Sequence, residues 1–380
     1  MELKDYREQI DAIDRELTRL FQERMHVAGE IAAFKKANGL PVLDRSRERQ
    51  KLSELVGAAE EPLGGYVHVL YSLLFELSRS YQLKLISEKT PLQKRIEEAV
   101  ENTPRLFPPR AEVACQGVEG AYSSLACEKL FSMPNITYFT SFESVFAAVD
   151  QGLCDYGILP LENSTAGSVN KIYDLMSRYS FSIVRSTRLK VDHNLLAKPG
   201  TAIADVKEIF SHPQAISQCG AFLEKRKGVK ITPWENTALA AKMVAESGRT
   251  DAAAIASHST VGLYGLDCLA ADIQDRGNNY TRFICISKDL EIYPGADKTS
   301  LMLVAPHRPG SLYQILARFY TYGLNIIKLE SRPIPNRDFE FMFYFDLETS
   351  VYSEEFIRLI DDLDSICEEF QYLGSYSEVI

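Results

Sequence analysis

Apolar residues recur at helical spacing along the first forty positions: Ile10, Ile13, Leu17, Leu20, Val27, Ile31 and Phe34 fall on one face of a helix. The pattern predicts one helix from about Leu3 to Asn38, stopped by Asn38-Gly39-Leu40-Pro41. A second helix is predicted from near Ser46, and a third from about Pro62 or Tyr66 to Ile86. Helices so unequal in length make a poor shared core, because the long one outreaches its partners. A homodimer, or a higher homo-oligomer, built on the long helix is therefore expected. Residues 89–110 read as a linker. Lys89 to Asn102 is polar with a weak helical period, and Thr103-Pro104-Arg105-Leu106-Phe107-Pro108-Pro109 cannot continue a helix.

From Ala111 the pattern switches to short apolar runs alternating with helical periods. Strands are predicted at Glu112–Cys115, Ile136–Phe139, Tyr156–Leu161, Ser182–Leu189, Val191–Ala197, Val229–Pro233, Ala252–Ala256 and Phe283–Ile286. Helices are predicted from near Tyr122, then at Phe142–Gln151, Val169–Tyr179, Gln214–Lys225 and Ala238–Ser247. This is an α/β region of two lobes with a cleft between them. Residues 298–380 change again, to Ser300–Ala305, Gly310–Tyr322, Asn325–Ser331, Glu340–Leu347, Glu354–Leu363 and a last strand near Phe370–Leu373. That order is β-α-β-β-α-β, the ferredoxin-like arrangement. The expected organisation is an all-α helical domain (1–88), the linker, a two-lobed α/β domain (111–288) and an α+β domain (298–380).

A chain of 380 residues is too long for one core, which agrees with several domains. The net charge of −10, with no basic block to offset it, argues against nucleic acid as a partner. The 7 Cys are odd in number and form no Cys-x-x-Cys, so neither a disulfide framework nor a zinc site is expected. The 6 His show no metal-ligand spacing, and neither a metal nor an organic cofactor is anticipated. Met1-Glu2-Leu3-Lys4-Asp5 is no signal peptide and no apolar run is long enough for a bilayer, so a cytoplasmic location without membrane contact is expected.

The chemistry begins with cations on a greasy stripe. Arg24 and Lys35 fall on or beside the apolar face of the first helix, and Arg7 flanks its start. A charge there costs several kcal/mol unless an anion compensates it. Arg24 and Lys35 lie ~20° apart around the helix and ~16 Å apart along it, so long side chains could converge on one ligand. Arg7 is ~26 Å from Arg24 and ~100° around, so only an antiparallel partner could bring it to the same pocket. Asp44, Arg47 and Glu48 share a helical face, as do Ser78 and Gln82. Taken singly, Asp44 could be a helix-end charge, Arg47 and Glu48 a solvated face, and the two cations could snorkel.

Together they resemble the all-helical chorismate mutase family. The resemblance runs through Tyr6-Arg7-Glu8-Gln9-Ile10-Asp11, Glu23-Arg24, Lys35, Pro41-Val42-Leu43-Asp44-Arg45-Ser46-Arg47-Glu48-Arg49, and Ser78 with Gln82. It implies an intertwined dimer that rearranges chorismate to prephenate. By that resemblance, Arg7 of a second copy and Arg24 clamp carboxylates, and Lys35 and Gln82 face the ether oxygen. Glu48, with Arg47, Asp44 and Ser78, holds the hydroxyl and ring end.

Four polar segments stand out in the α/β region: Pro160-Leu161-Glu162-Asn163-Ser164-Thr165-Ala166-Gly167, Ser211-His212-Pro213-Gln214-Ala215 with Gln218-Cys219, Asn236-Thr237-Ala238, and Asn278-Asn279-Tyr280-Thr281-Arg282-Phe283. Helix N-termini near Ser164, Ser211 and Thr237 would offer free backbone N–H groups to carboxylates. Singly, Ser211 and Thr237 are ordinary caps, and His212 is an ordinary structural histidine. In this order the segments resemble prephenate dehydratases, whose fold is of the periplasmic-binding-protein type. That resemblance implies that Thr281 assists the leaving hydroxyl of prephenate. It also implies that Asn163, Ser164, Ser211, Gln218 and Thr237 shape the pocket and that Arg282 partners a carboxylate.

In the last region, Pro309-Gly310-Ser311-Leu312-Tyr313 and Glu330-Ser331-Arg332-Pro333 resemble regulatory ACT domains. The implied effector is phenylalanine, contacted by Gly310, Ser311, Leu312, Glu330, Ser331 and Arg332. The whole chain is similar to bifunctional chorismate mutase–prephenate dehydratases. Two other readings are a regulator that has lost catalysis and a mutase–dehydrogenase fusion. The second would need a Gly-x-Gly-x-x-Gly loop, which Gly117-Val118-Glu119-Gly120 does not supply.

Overall fold

The computed structural model describes residues 2–86, 89–334, 337 and 340–380. It divides into two compact units, one ending at Lys94 and the other spanning Arg95–Ile380.

The first unit is helical: α1 (Leu3–Ala37), α2 (Arg45–Gly57) and α3 (Gly64–Ile86). A reciprocal cap opens α1, with the Glu2 backbone N–H donating to Asp5 at 2.7 Å. Asn38 closes it and left-handed Gly39 (φ 63°) turns the chain away. Asp44 caps α2 by accepting the Arg47 N–H at 2.9 Å. Gly29 lets α3 approach, since an added Cβ would stand 3.2 Å from Leu85 Cδ1. Yet only Ala28 and Ala32 of α1 are buried. Ile10, Ile13, Leu17 and Leu20 remain 47–58% exposed, so one copy of the chain does not cover the stripe.

The segment read as a linker contains a helix, α4 (Pro91–Asn102). Thr90 and Gln93 cap it reciprocally, at 3.1 and 3.2 Å, and Ile96 and Ala99 are buried. The Thr-x-x-Gln box and the apolar spacing of Leu92, Ile96, Ala99 and Val100 outweigh the polar composition.

The second unit opens with β1 (Glu112–Gln116), α5 (Tyr122–Leu130), β2 (Asn135–Phe139), α6 (Phe142–Asp150), β3 (Tyr156–Asn163), β4 (Gly167–Ser168), α7 (Asn170–Met176) and β5 (Ser182–Lys190). The chain then crosses to a second lobe: β6 (Asn194–Ala197), β7 (Glu208–Ser211), α8 (Pro213–Gln218), α9 (Gly220–Glu224), β8 (Lys230–Pro233), α10 (Thr237–Glu246), β9 (Ala252–Ala256), α11 (Ser259–Tyr264) and β10 (Asp267–Ala270). It returns through β11 (Tyr280–Ser287), so two crossovers, 191–193 and 271–279, join the lobes. The second lobe's sheet has the order β10-β6-β9-β7-β8. At its centre every residue of β9 is buried, and Ala238, Ala240 and Ala241 of α10 pack beside it.

The remaining elements are β12 (Lys298–Val304), α12 (Ser311–Thr321), β13 (Asn325–Pro333), β14 (Phe341–Glu348), α13 (Glu354–Ile366) and β15 (Glu369–Val379). Their strands pair antiparallel in the order β13-β14-β12-β15. They continue the first lobe's sheet, because Ser377–Val379 of β15 pair in parallel with Arg185–Thr187 of β5. One apolar cluster accordingly holds Leu159, Leu161 and Ile284 together with Met302, Tyr344 and Leu373. Where β15 passes from one set of strands to the other, Gly374 adopts φ 132°. A Cβ there would collide with the Ile183 carbonyl oxygen.

Among the described residues, no helix is long and apolar enough to cross a membrane. Nor does any His/Cys/Asp/Glu group among them suit a metal ion.

Gly374→Ala should destabilise the second unit by about 1–3 kcal/mol, since both the φ and the backbone collision oppose it. Urea unfolding of the pure variant measures this, and an unchanged midpoint would contradict the strand crossing described.

Candidate active sites

In the helical unit, three helices meet around Arg24. Its guanidinium donates to the Ser78 hydroxyl and, at 3.2 Å, to the Leu74 carbonyl, and it lies 5.7 Å from the Phe75 ring centre. Burial lowers its pKa, while Tyr71 and Glu48 partly hold it up. From α2, Glu48 accepts two hydrogen bonds from Arg79 of α3, at 2.5 and 2.6 Å. One turn after Ser78, Gln82 is buried, and its Oε1 has no hydrogen-bond partner among the described residues. Arg24, Glu48, Ser78 and Gln82 thus share one neighbourhood. Arg79 belongs to it too, although the sequence did not single it out, since one of several exposed-looking arginines carries no pattern signal.

Lys35 stands apart from that group, donating to the Val42 carbonyl at 2.6 Å and tying the 38–44 connection to α1. Asp44 serves as the α2 cap, and Arg7 and Arg47 are exposed. Within one chain, then, Arg7, Lys35, Asp44 and Arg47 are not hydrogen-bonded to the Arg24 group.

In the second unit the ends of β3 and β11 run side by side, with Thr281 opposite Asn163 and Arg282 opposite Glu162. Between Arg282 and Phe283 the pairing skips Leu161, a bulge next to Pro160, which has no N–H to give. Side chains alternate along a strand and directly opposite residues share a face, so the Asn163–Thr281 pair points one way and the Glu162–Arg282 pair the other. Asn163 and Thr281 face the meeting of the lobes, and there a continuous set of hydrogen bonds forms. The backbone N–H groups of Thr165 and Ala166 donate to Asn163 Oδ1 at 3.0 and 2.9 Å. Asn163 Nδ2 then donates to Thr281 Oγ1 at 2.9 Å and Asn279 Oδ1 at 2.7 Å. Asn279 Nδ2 donates to Gln218 Oε1, and Gln218 Nε2 to Thr165 Oγ1, both at 3.0 Å. The Thr165 hydroxyl donates to Asn163 Oδ1 at 2.7 Å, with Asn279 Oδ1 farther off at 3.3 Å.

This polarity leaves one group unspent. Thr281 accepts from Asn163, and no acceptor among the described residues takes its hydroxyl hydrogen. Half-buried at the strand end, its hydroxyl remains able to donate a hydrogen bond to a ligand. Thr165 and Asn279 also belong to the set; both lie within the polar segments, but their spacing alone does not mark them.

Four expectations need correction. Arg282 does not face the pocket. Its side chain, 7% exposed, pairs with Asp346 of β14, which is 0% exposed, and its Nε lies 2.7 Å from Glu162. Burial opposes its charge, but Asp346, helped by Glu162, more than restores it and the pKa is raised. Strand alternation is the reason, since the neighbour of a cleft-facing Thr281 must face the other way. Ser211 is fully buried and donates to the Ile255 carbonyl at 2.7 Å, while His212 caps α8 through Nδ1. Ser164 opens no helix. Its hydroxyl donates to the Asn278 carbonyl and accepts from the Tyr280 N–H, at 2.8 and 2.9 Å, clamping the loop that carries Asn279. Thr237 begins α10, but Asn236 makes the cap, and no hydrogen bond joins Thr237 to the cluster. A cavity of about 780 Å³ touches Glu162, Asn163 and Arg282 but not Thr281, Gln218 or Asn279, so it opens mainly on the Arg282 side.

The residues expected to hold an effector separate as well. Gly310 is left-handed (φ 85°) before α12, Leu312 is partly buried, and the buried Ser311 hydroxyl has no partner among the described residues. On β13, Lys328, Glu330 and Arg332 face the first lobe and Ser331 faces out. Glu330 accepts from Ser168, and Lys328 reaches Glu162 at 2.6 Å. Arg332 grips Asp174 with two hydrogen bonds, at 2.9 and 3.0 Å. Glu330 and Arg332 are therefore committed to the first lobe, which corrects their assignment as effector contacts.

Comparison with known proteins agrees with these divisions. Residues 6–83 match the chorismate mutase type II family and residues 113–291 the prephenate dehydratase family. The bifunctional chorismate mutase/prephenate dehydratase of Escherichia coli K12 is 31% identical over 97% of this chain and 95% of its own length. Two solved structures each cover 70% of the chain. One is a prephenate dehydratase from Arthrobacter aurescens in complex with L-Phe (27% identity, TM-score 0.65, 90% of that chain), the other a protein described as a novel type of quorum-quenching acylase (33%, 0.63, 97% of that chain). The chain belongs to the bifunctional chorismate mutase/prephenate dehydratase family.

Proposed function

We propose that the helical unit rearranges chorismate to prephenate, and that the two-lobed region converts prephenate to phenylpyruvate. The chain would thus be an isomerase and a carbon–oxygen lyase of phenylalanine biosynthesis. The observation that carries this reading is the polarised hydrogen-bond set ending on Thr281, in a chain whose helical unit also gathers Arg24, Glu48, Ser78 and Gln82.

A Claisen rearrangement needs no nucleophile, metal or proton shuttle. It needs a dicarboxylate held folded, and donors aimed at the ether oxygen as the C–O bond breaks. Arg24 supplies a partly buried carboxylate clamp. The buried Gln82 amide, one turn from Ser78, and Lys35 are the donors for the ether oxygen. Glu48, fixed by Arg79, with Ser78, Arg47 and Asp44, suits the hydroxyl end. The uncovered stripe of α1 supports a homodimer, in which Arg7 of a second copy completes the clamp.

In the second reaction the ring carboxylate leaves as carbon dioxide. The electrons of its C–C bond enter the ring, and hydroxide departs from the opposite carbon. Aromatisation drives this, so the protein has to orient prephenate and stabilise the departing oxygen. Thr281, already accepting from Asn163, donates a hydrogen bond to that oxygen and keeps its own proton. Gln218, Asn279 and Thr165 hold Asn163 in place. Neither reaction requires a cofactor.

We read the β-α-β-β-α-β module as an ACT domain, on the order of its elements and strands, and assign it phenylalanine as an inhibitory effector. The Ser311 hydroxyl, without a partner among the described residues and beside left-handed Gly310, supports a small polar ligand at that end, and the Arthrobacter relative was solved with L-Phe. Seven cysteines without a disulfide among the described residues fit a cytoplasmic enzyme.

Lys35→Ala should cut the mutase rate by about 100-fold or more while dehydration of supplied prephenate continues. Thr281→Ala should do the reverse. Steady-state assays of both reactions on each variant check this, and parallel loss of the two activities, or loss of neither, would overturn the assignment. Titrating phenylalanine should lower the dehydratase rate, and a flat response would remove the effector reading.

A further inference from the structure

We propose that His193 is a positioning residue for dehydration: by donating its Nε2–H to Gln218 it fixes the direction of the hydrogen-bond set that ends on Thr281. The proposal rests on the dehydratase reading above.

The proton on His193 follows from groups that cannot be reassigned. Backbone N–H groups only donate, so the Asn163 atom facing Thr165 N and Ala166 N must be oxygen. Its amide nitrogen therefore faces Asn279, which must present oxygen there and nitrogen on its far side. That nitrogen lies 3.0 Å from Gln218, so the Gln218 atom is oxygen. His193 Nε2 sits 2.8 Å from the same oxygen and must carry hydrogen. Burial lowers the His193 pKa against the opposing pull of Gln218 and Asp192, so the ring is neutral near pH 7 and Nδ1 is bare. Nδ1 has no hydrogen-bond partner among the described residues.

Among the described residues the Gln218 amide, like that of Asn279, is held by side chains alone, with no backbone N–H to fix which end is oxygen. If the Gln218 amide turned over, its NH2 would face the Asn279 NH2, and its oxygen would draw the Thr165 proton away from Asn163. Asn163 would then lose one of the bonds that orient it toward Thr281. Asn279 alone opposes the turn with one hydrogen bond, and His193 adds a second. The imidazole is itself well fixed. It is 2% exposed, its backbone N–H donates to Gln274 Oε1, and its carbonyl accepts from Ile273 N–H, both at 2.8 Å. Those bonds tie the first crossover between the lobes to the second. A histidine kept only to fill space would not need a specified tautomer.

Two variants and one spectrum test this. His193→Leu removes the donor, and His193→Gln places an amide N–H within reach of the Nε2 position. With prephenate supplied, His193→Leu should lower kcat by about 10–100-fold and leave KM within about threefold. His193→Gln should recover most of the loss, and both should retain the mutase rate. Nitrogen-15 NMR of the wild-type enzyme should show the Nε2–H tautomer for His193. An undiminished kcat in His193→Leu, equal loss in His193→Gln, or an Nδ1–H tautomer would each overturn the proposal. If the leucine variant does not fold, the glutamine variant and the spectrum still decide. A wild-type enzyme that leaves prephenate untouched would instead overturn the dehydratase reading itself.

Discussion

Alternation of side chains along two paired strands organises the second unit. At the ends of β3 and β11, Asn163 and Thr281 point to the meeting of the lobes, while Glu162 and Arg282 point to the C-terminal module. A one-residue slip of either strand would exchange the two sets. It would carry a charged pair into the cleft and leave Asp346 buried without its partner, at a cost of several kcal/mol. The ionic face therefore guards the register that the neutral face needs. Lys328 and Glu330 extend the ionic face onto β13, and β15 locks to β5 through the Gly374 crossing. The module is joined to the strands of the site by backbone pairing, by apolar packing and by charge.

The two sites differ in electrostatic character. Around Arg24 the partly buried charges of Arg24, Glu48 and Arg79 sit beside the buried neutral Ser78 and Gln82. Around Thr281 they are neutral amides and hydroxyls whose dipoles are aligned by two backbone N–H groups. A neutral set of this kind is fixed before substrate arrives, so it need not reorganise as charge builds on a leaving oxygen.

The periodic parts of this structure were legible in the sequence. The long helix, its stop at Asn38-Gly39 and the β-α-β-β-α-β order followed from spacing and breakers. So did Ser78 and Gln82 as neighbours, because i, i+4 spacing is a geometric statement. The placement of Arg282 was not legible. Spacing shows that Thr281 and Arg282 face opposite ways, but not which face holds the ligand. Ser211 looked like a cap, yet its hydroxyl is claimed by Ile255, a residue 44 positions away. His193, Thr165 and Asn279 come together only through the two crossovers, so no local pattern marks them as a group. Helix α4 differs from these, because its signal is local: the Thr90-x-x-Gln93 box precedes an apolar period of its own. Polar composition masked it.

A chain that carries both reactions in sequence needs only the first substrate. Incubating the purified protein with chorismate alone, and following phenylpyruvate, tests it most directly. Phenylpyruvate should accumulate, with prephenate as the transient intermediate. Chorismate left intact, or prephenate accumulating without phenylpyruvate, would contradict it.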